Sequence, residues 1–330
     1  MGTTIRMVTP TTMTITMVTA TPMAITMTTP ERFLLAGVMG WPVMHSRSPL
    51  IHNHWFAVHG LKGAYMPLLI EPGRVEAALR ALPVLGFAGV NVTIPHKQEA
   101  MRVVDELDES AQRIGAISCV TVRPDGSLHG CNNDAFGFIR NLRQQQPQWR
   151  PDAGPVVVLG AGGGARAVCW GLLREGVREI RLVNRTFERA QALAQALCGP
   201  GAAGRAAKAG AEGIAGTEGA ALGRILPQRW SDRHEVLSSA SLVVNTTSQG
   251  MVGQPALDFD PARLPLGAVA ADIVYIPGET PYLAGARALG HPTVRGLGML
   301  LHQGPLAWKR WFGIEPEVTA ELWRLVEASL

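Results

Sequence analysis

Cysteine, lysine and long uninterrupted hydrophobic runs are all scarce in this chain of 330 residues. Its four cysteines, Cys119, Cys131, Cys169 and Cys198, are scattered with no CxxC pair. That excludes a disulfide framework or a zinc ribbon and reads as reduced thiols in a cytoplasmic protein. No stretch reaches the roughly 18 consecutive apolar residues a membrane helix needs. A basic tract is missing too: 30 Lys and Arg against 26 Asp and Glu leave a net charge of +4. This is too little for a nucleic-acid surface or a polybasic membrane surface, and it suits a small anionic substrate with a polyanionic cofactor. Acids are absent between Glu31 and Glu71, so His45, His52, His54 and His59 have no nearby carboxylate co-ligand. Their spacing matches neither a zinc finger nor HExxH, and no metal is expected.

Residues 1–30 are built mainly from Thr, Met and Pro, with Arg6 as the one charge. A continuous apolar core is lacking, so a secretory signal is not expected. The segment reads as a disordered extension before a folded chain that starts near Arg32. An organelle-targeting peptide, which usually carries several arginines, is the alternative. The length favours two domains, and 47% hydrophobic residues supply material for two cores.

Short β-prone runs then alternate with amphipathic ones. Strands are predicted at residues 33–39, 65–70 and 89–94, with a hairpin from 117–123 and 127–129 around Pro124-Asp125-Gly126. Helices are predicted at 50–59, 75–82, 98–105, 110–115 and 135–146, the last with Asp134 as N-cap. Further on, strands are expected at 242–245 and 268–274, and Thr280-Pro281 opens a helix as N-cap and N1. Helical stretches at 298–312 and 316–329 close the chain, with Trp308 and Trp311 as packing residues. The Gly/Ala-rich segment between Cys198 and Ile225 reads as a surface loop inserted at about 199–224. The alternation predicts an α/β fold.

Chemistry first becomes legible at VVVLGAGGGARA (156–167). Gly160 permits a tight exit from a strand, and Gly162 lets main-chain N–H groups approach a pyrophosphate. Ala165 takes the small-residue place where helix meets sheet, with Ala161, Gly163 and Gly164 completing the turn. The helix start offers unpaired N–H donors to an anion. The next strand, 179–183, ends where an NAD-binding unit would place an Asp or Glu on the ribose 2′-hydroxyl, yet here stand Asn184 and Arg185. With Thr186 as N-cap and Arg189 one turn on, two guanidinium groups flank a 2′-phosphate, which points to NADP despite the neighbouring Glu188.

Several motifs occur in one order: GWPVMHSRSPLIHN (40–53), GVNVTIPHK (89–97), GCNND (130–134), GAGGGA, NRTFER, VNTTSQGM (244–251), DIVY (272–275) and GLGMLLHQ (296–303). This series resembles the shikimate dehydrogenase family from Phe33 to the C-terminus. The resemblance implies two α/β domains, a substrate-binding domain and a doubly wound Rossmann-type NADP-binding domain. The first would be discontinuous, residues 31–134 and 297–330, with 135–296 binding NADP. The reaction implied is reversible reduction of 3-dehydroshikimate by NADPH, a step of aromatic amino-acid biosynthesis.

On residue type alone Lys97 is a solvated lysine after a strand. The resemblance makes it the proton donor and acceptor, paired with Asp134. Only four of the 30 basic residues are lysines, and arginine could not release a proton in this role. Ser46 and Ser48 match the serines that hold the substrate carboxylate. Thr93, Tyr275 and Gln303 match positions that contact ring hydroxyls or the carboxylate, supported by Asn91. Ile273 and Gly296 match positions near the nicotinamide, and Thr246 and Thr247 lie on a loop of the cofactor site. One departure concerns the substrate: where the family usually has GAxNT, this chain has Gly115-Ala116-Ile117-Ser118-Cys119. Ser118 keeps a hydroxyl but loses the amide's second group, so quinate or another cyclic hydroxy acid is an alternative substrate. A non-catalytic NADP-binding regulatory protein is the alternative of another class. Oligomeric state has no signature here, and a homodimer stays open.

Overall fold

The computed structural model of the chain describes residues 33–199 and 223–330. The extension expected at 1–30 and nearly all of the expected insertion lie outside them. Phe33 to Leu330 forms one compact unit organised around two six-stranded sheets. No helix among the described residues is long and apolar enough to cross a membrane.

The first sheet holds β1 (Leu34–Gly40), β2 (Gly63–Leu69), β3 (Phe87–Val92), β4 (Glu106–Leu107), β5 (Cys119–Val122) and β6 (Leu128–Cys131), in the order β2-β1-β3-β5-β6-β4. β1 runs parallel to β2 and β3, whereas β5 is antiparallel to β3 and β6. Interleaved with these strands are α1 (Ser48–Val58), α2 (Val75–Ala81), α3 (Lys97–Val103) and α4 (Glu109–Ile114). Next, α5 (Asp134–Gln145) leads into the second sheet, which comprises β7 (Val156–Leu159), β8 (Glu179–Asn184), β9 (Arg224–Arg229), β10 (Leu242–Asn245), β11 (Val269–Asp272) and β12 (Thr293–Val294). Its order, β12-β11-β10-β7-β8-β9, is parallel throughout. Read from the first strand outward this is the doubly wound Rossmann arrangement, whose order reverses between β7 and β10. Ligands of such sheets bind outside the carboxyl ends of the strands at that reversal.

The helices of this half are α6 (Gly163–Arg174), α7 (Phe187–Cys198) and α8 (Pro281–Ala288), and the chain ends with α9 (Leu297–Phe312) and α10 (Ala320–Glu327). Thr280 caps α8 as expected, its side chain accepting from the Leu283 N–H. α10 starts four residues later than predicted, because Thr319 takes the Leu322 N–H and fixes the start there.

Strand β9 is absent from the sequence-based expectation. Its sequence, Arg-Ile-Leu-Pro-Gln-Arg, contains a proline and lacks alternation. Among the described residues it pairs only with β8, at the sheet edge, and an edge strand tolerates a residue that cannot donate to a ladder.

One face of the second sheet packs on α5, α6 and α7 through Val156, Val158, Ile180 and Leu182, and the opposite face packs on α8 through Val157, Val243 and Ala270. The first sheet has α2, α3 and α4 on one face. On the other, α1 is joined by the last two helices, which contribute Leu297, Leu301, Trp308, Trp311, Leu322 and Val326. Trp308 is fully buried and donates to His52 Nδ1 at 2.7 Å, while Trp311 donates to the Val120 carbonyl at 3.0 Å. Each indole thus buries its ring without stranding its N–H. Burial lowers the His52 imidazole to about 3, so this histidine stays neutral and accepts from Trp308 while its ring stacks on Tyr65 at 4.0 Å. Among the described residues no group of three His, Cys, Asp or Glu side chains could hold a metal ion.

Candidate active site

Lys97 is placed by the turn that leaves β3. Thr93 N–H donates to the Met39 carbonyl and His96 N–H to the Thr93 carbonyl, both at 2.9 Å. The fully buried His96 ring donates from Nε2 to the Ile70 carbonyl at 2.7 Å. The Ile117 N–H closes on the Lys97 carbonyl at 3.0 Å. Lys97 therefore opens α3 with its backbone tied to two neighbouring segments, and Nζ donates to Asp134 Oδ2 at 2.5 Å. The acid is 4% exposed and the lysine 23%, so the amine reaches solvent while the carboxylate lies beneath it.

Asp134 is not the N-cap of α5, as expected from the sequence, but its first residue; Asn133 occupies the cap position without a side-chain cap bond. Asn132 accepts from the Asp134 N–H through Oδ1 at 3.0 Å and donates from Nδ2 to the Ala116 carbonyl at 2.9 Å. The Gly137 N–H, which a capping Asp134 would take, donates instead to the Asn133 carbonyl at 3.0 Å, so the Asp134 carboxylate is left for Lys97, at a helix end whose dipole favours negative charge.

Several of the residues expected around a substrate are joined by hydrogen bonds. Ser48 N–H donates to Ser46 Oγ at 3.2 Å. Tyr65 donates to Asn91 Oδ1 at 2.7 Å, and Asn91 Nδ2 reaches the Ser118 carbonyl at 3.2 Å. The sequence does not single out Tyr65, because its partner is 26 residues away and no local spacing links them. Burial raises its phenol well above the usual range, so it stays a donor. Ser118 is 2% exposed, and its Oγ accepts from the Asn133 N–H at 2.9 Å. The hydroxyl that replaces the amide is thus engaged with the segment leading to Asp134. Thr93 sets its methyl over Gly40 at the end of β1.

Tyr275 follows β11 in the second sheet yet packs against the core of the first. Burial raises its pKa, and the charge of Arg47 offsets part of that rise. Arg47 itself donates to the Ser329 carbonyl at 2.6 Å. Gln303, on α9, lies over Gly137 of α5, where an added Cβ would stand 3.1 Å from the Gln303 nitrogen. The helix carrying Asp134 and the helix carrying Gln303 are therefore in backbone contact.

The cofactor candidates cluster at the carboxyl end of the second sheet. Gly160 has φ +104°, which L side chains rarely adopt, and a Cβ there would meet Thr246 Oγ1 at 2.9 Å. The Thr246 hydroxyl donates to the Leu159 carbonyl at 2.7 Å, and Thr247 Oγ1 donates to Asn245 Oδ1 at 2.7 Å. Both hydroxyls are engaged within the protein and shape the loop. Asn245 Nδ2 and Thr280 Oγ1 donate to the buried Asp272, whose carboxyl burial raises to about 6. Ile273 presses on Gly164, and Gly296 lies against the backbone of Ile273 and Val274. Ala161 packs against the core beneath.

This end of the sheet fits a dinucleotide. Gly162 and Gly163 face open space, and α6 has no side-chain cap on its first N–H groups, leaving them for an anion. Thr186 holds the N-cap position of α7 without capping it, so its hydroxyl is free, and Asn184 Nδ2 braces the turn through the Thr186 carbonyl at 2.7 Å. Arg185 and Arg189 are exposed.

Comparison with known proteins agrees with this layout. Residues 38–120 match the family model described as shikimate dehydrogenase substrate binding domain, and residues 144–204 the one described as shikimate / quinate 5-dehydrogenase. The shikimate dehydrogenase (NADP(+)) of Rhodospirillum rubrum is 52% identical over 284 residues, covering 86% of this chain and 93% of that relative. Among solved structures, the shikimate 5-dehydrogenase of Thermus thermophilus in complex with NADP(H) and shikimate has a TM-score of 0.75 at 32% identity, covering 90% of this chain and 100% of that one. The quinate dehydrogenase of Corynebacterium glutamicum in complex with NAD has a TM-score of 0.77 at 30% identity, covering 90% and 99%.

Proposed function

The chain belongs to the shikimate dehydrogenase family, and we propose that it catalyses the reversible NADPH-dependent reduction of 3-dehydroshikimate to shikimate. Residues 31–134 and 297–330 form the substrate-binding domain in this reading, and 135–296 the NADP-binding domain. The packing of α9 and α10 on the first sheet's core supports that division. NADPH, when bound, supplies the hydride to the ketone carbon. Lys97 Nζ gives the proton to the oxygen that becomes the hydroxyl, and in the reverse direction takes it back. Asp134 orients the amine and keeps it from turning to solvent.

Ser46 and Ser48 receive the carboxylate, helped by the uncapped start of α1, which has no acid in its first turn. Asn91, Thr93, Tyr275 and Gln303 meet ring hydroxyls or the carboxylate. Asn91 can do so while bound to Tyr65 because an amide has donors and acceptors to spare. Thr246 and Thr247 act by holding their loop against Gly160, while Ile273 and Gly296 border the nicotinamide.

The observation that carries this reading is the 2.5 Å contact between Lys97 Nζ and Asp134 Oδ2. It supports the proton-carrier role by giving the Lys97 amine a buried carboxylate to hold its orientation. Lys97→Ala should lower turnover about 10²- to 10⁴-fold with little change in substrate KM; near-normal turnover would remove the assignment.

A second reading, with quinate as substrate, is favoured by one feature: the Ser118 hydroxyl is engaged with the Asn133 N–H and offers no amide to the ring. Turnover of shikimate and quinate with NADP and with NAD separates the two readings, and quinate activity equal to or above that on shikimate decides for the second.

A further inference from the structure

The edge strand that the sequence did not reveal carries a third guanidinium to the turn after β8. Arg229 is the last residue of β9, and its Cα is in register with that of Asn184, one strand spacing, about 4.8 Å, away. Its guanidinium lies 4.7 Å from the centroid of the Phe187 ring. Phe187 is the first residue of α7, directly after Asn184, Arg185 and Thr186. Other arginines along this edge are matched by acids: Arg181 and Arg224 pair with Glu179, and Arg233 with Asp258. Among the described residues, Arg185, Arg189 and Arg229 have no ion-pair partner.

Three unpaired cations around one turn repel one another unless an anion joins them. The ring contact stabilises the Arg229 side chain and at the same time fixes where its charge sits. Stacked on Phe187, the Arg229 guanidinium has its orientation set by its face, while its in-plane N–H groups stay free to bind. A phosphomonoester carries about −1.5 to −2 charge and three acceptor oxygens, which exceeds what one arginine can match.

We propose that Arg229 is a specificity-determining residue, completing with Arg185 and Arg189 a three-arginine cradle for the 2′-phosphate of NADP(H). The inference rests on the NADP reading above and extends it to a strand outside the motif that suggested it.

The test is direct titration calorimetry of NADP⁺ and NAD⁺ on the full chain without substrate, for the wild type, Arg229→Ala, Arg229→Lys and, as reference, Arg185→Ala. Arg229→Ala should weaken NADP⁺ about tenfold, the loss expected for one charge-assisted contact, and leave NAD⁺ within about twofold. Arg229→Lys should recover part of the loss. If Arg185→Ala weakens NADP⁺ selectively while Arg229→Ala does not, Arg229 is outside the cradle and the NADP reading stands. Equal weakening of both dinucleotides by Arg229→Ala overturns the proposal in favour of a role in shaping the adenosine pocket. If neither alanine variant separates the two dinucleotides, the phosphate is held elsewhere and the underlying placement fails with the proposal.

Discussion

Gly137→Ala adds one methyl group where two helices leave no room for it. A Cβ at Gly137 would stand 2.6 Å from the Met299 carbonyl oxygen, 3.1 Å from the Gln303 nitrogen and 3.2 Å from the Gln303 Cβ. Two of these atoms are backbone of α9, so no rotamer change relieves the contact. An ordinary separation of about 3.5 Å requires the helices to part by close to 1 Å. That displacement acts on Asp134, three residues earlier on α5, and on Gln303, which α9 carries. Asp134 Oδ2 now lies 2.5 Å from Lys97 Nζ. Drawn apart by most of an ångström, the pair would stand well beyond the roughly 2.7–2.9 Å typical of charge-assisted bonds, and the amine is no longer aimed. Misplacement on this scale costs up to about 10²-fold in rate, and overpacking costs about 1–3 kcal/mol of stability. We therefore expect turnover to fall about 10- to 100-fold with a lowered melting temperature. The NADP⁺ dissociation constant should change less than about threefold, because the glycine turn is anchored by β7 and the Thr246 loop and not by the α5–α9 contact. Steady-state kinetics, calorimetric titration and a thermal melt on one preparation read all three. A folded variant with normal NADP⁺ binding and turnover within about twofold of the wild type would refute the claim that the α5–α9 contact sets the Lys97–Asp134 geometry.

Arg185→Asp should raise the NADP⁺ KM at least about tenfold and lower that for NAD⁺; an unchanged ratio in cofactor kinetics would mean the turn after β8 does not read the phosphate. Ser118→Asn restores the amide usual in the family and should raise kcat/KM for shikimate relative to quinate, whereas an unmoved ratio shows that position 118 does not read the ring. Asp272 links stability to pH: its folded pKa of about 6 lies above the ordinary aspartate value of 3.8, so its contribution, about 3 kcal/mol, is full below pH ~4 and is lost as pH rises through ~6. Asp272→Asn should remove that downward slope from urea-derived unfolding free energies between pH 4 and 6, and a slope equal to the wild type's would count against it.

The order of strands and helices was readable because nearly every element carries its own period. Val156 to Leu159 is a buried apolar run, and α5 keeps Phe138, Ile139 and Leu142 on its core side. Strand β9 escaped because Pro227 and its flanking arginines suppress that signal, and the residues it pairs with lie across the Gly/Ala-rich segment. The return of the last helices to the first sheet has no local signature at all: Trp308 finds His52 across 256 positions of sequence. Only the ordered motifs implied it.

At the site, motif residues were legible and the groups that aim them were not. Lys97 and Asp134 were found as a pair, yet what leaves the Asp134 carboxylate for the lysine is the Asn133 carbonyl, which takes the Gly137 N–H in its place. Tyr65, on β2, holds Asn91 from 26 positions away in the sequence. Such supporting residues leave weak marks because their partners are chosen by topology, so their type alone fits many uses. A glycine differs in this respect. Gly137 sits inside a helix, where it costs roughly 1 kcal/mol relative to alanine, and that penalty in the middle of a good helix already implies a neighbour too close for a side chain. Identifying the neighbour as α9, and the consequence as the position of Asp134, required the fold.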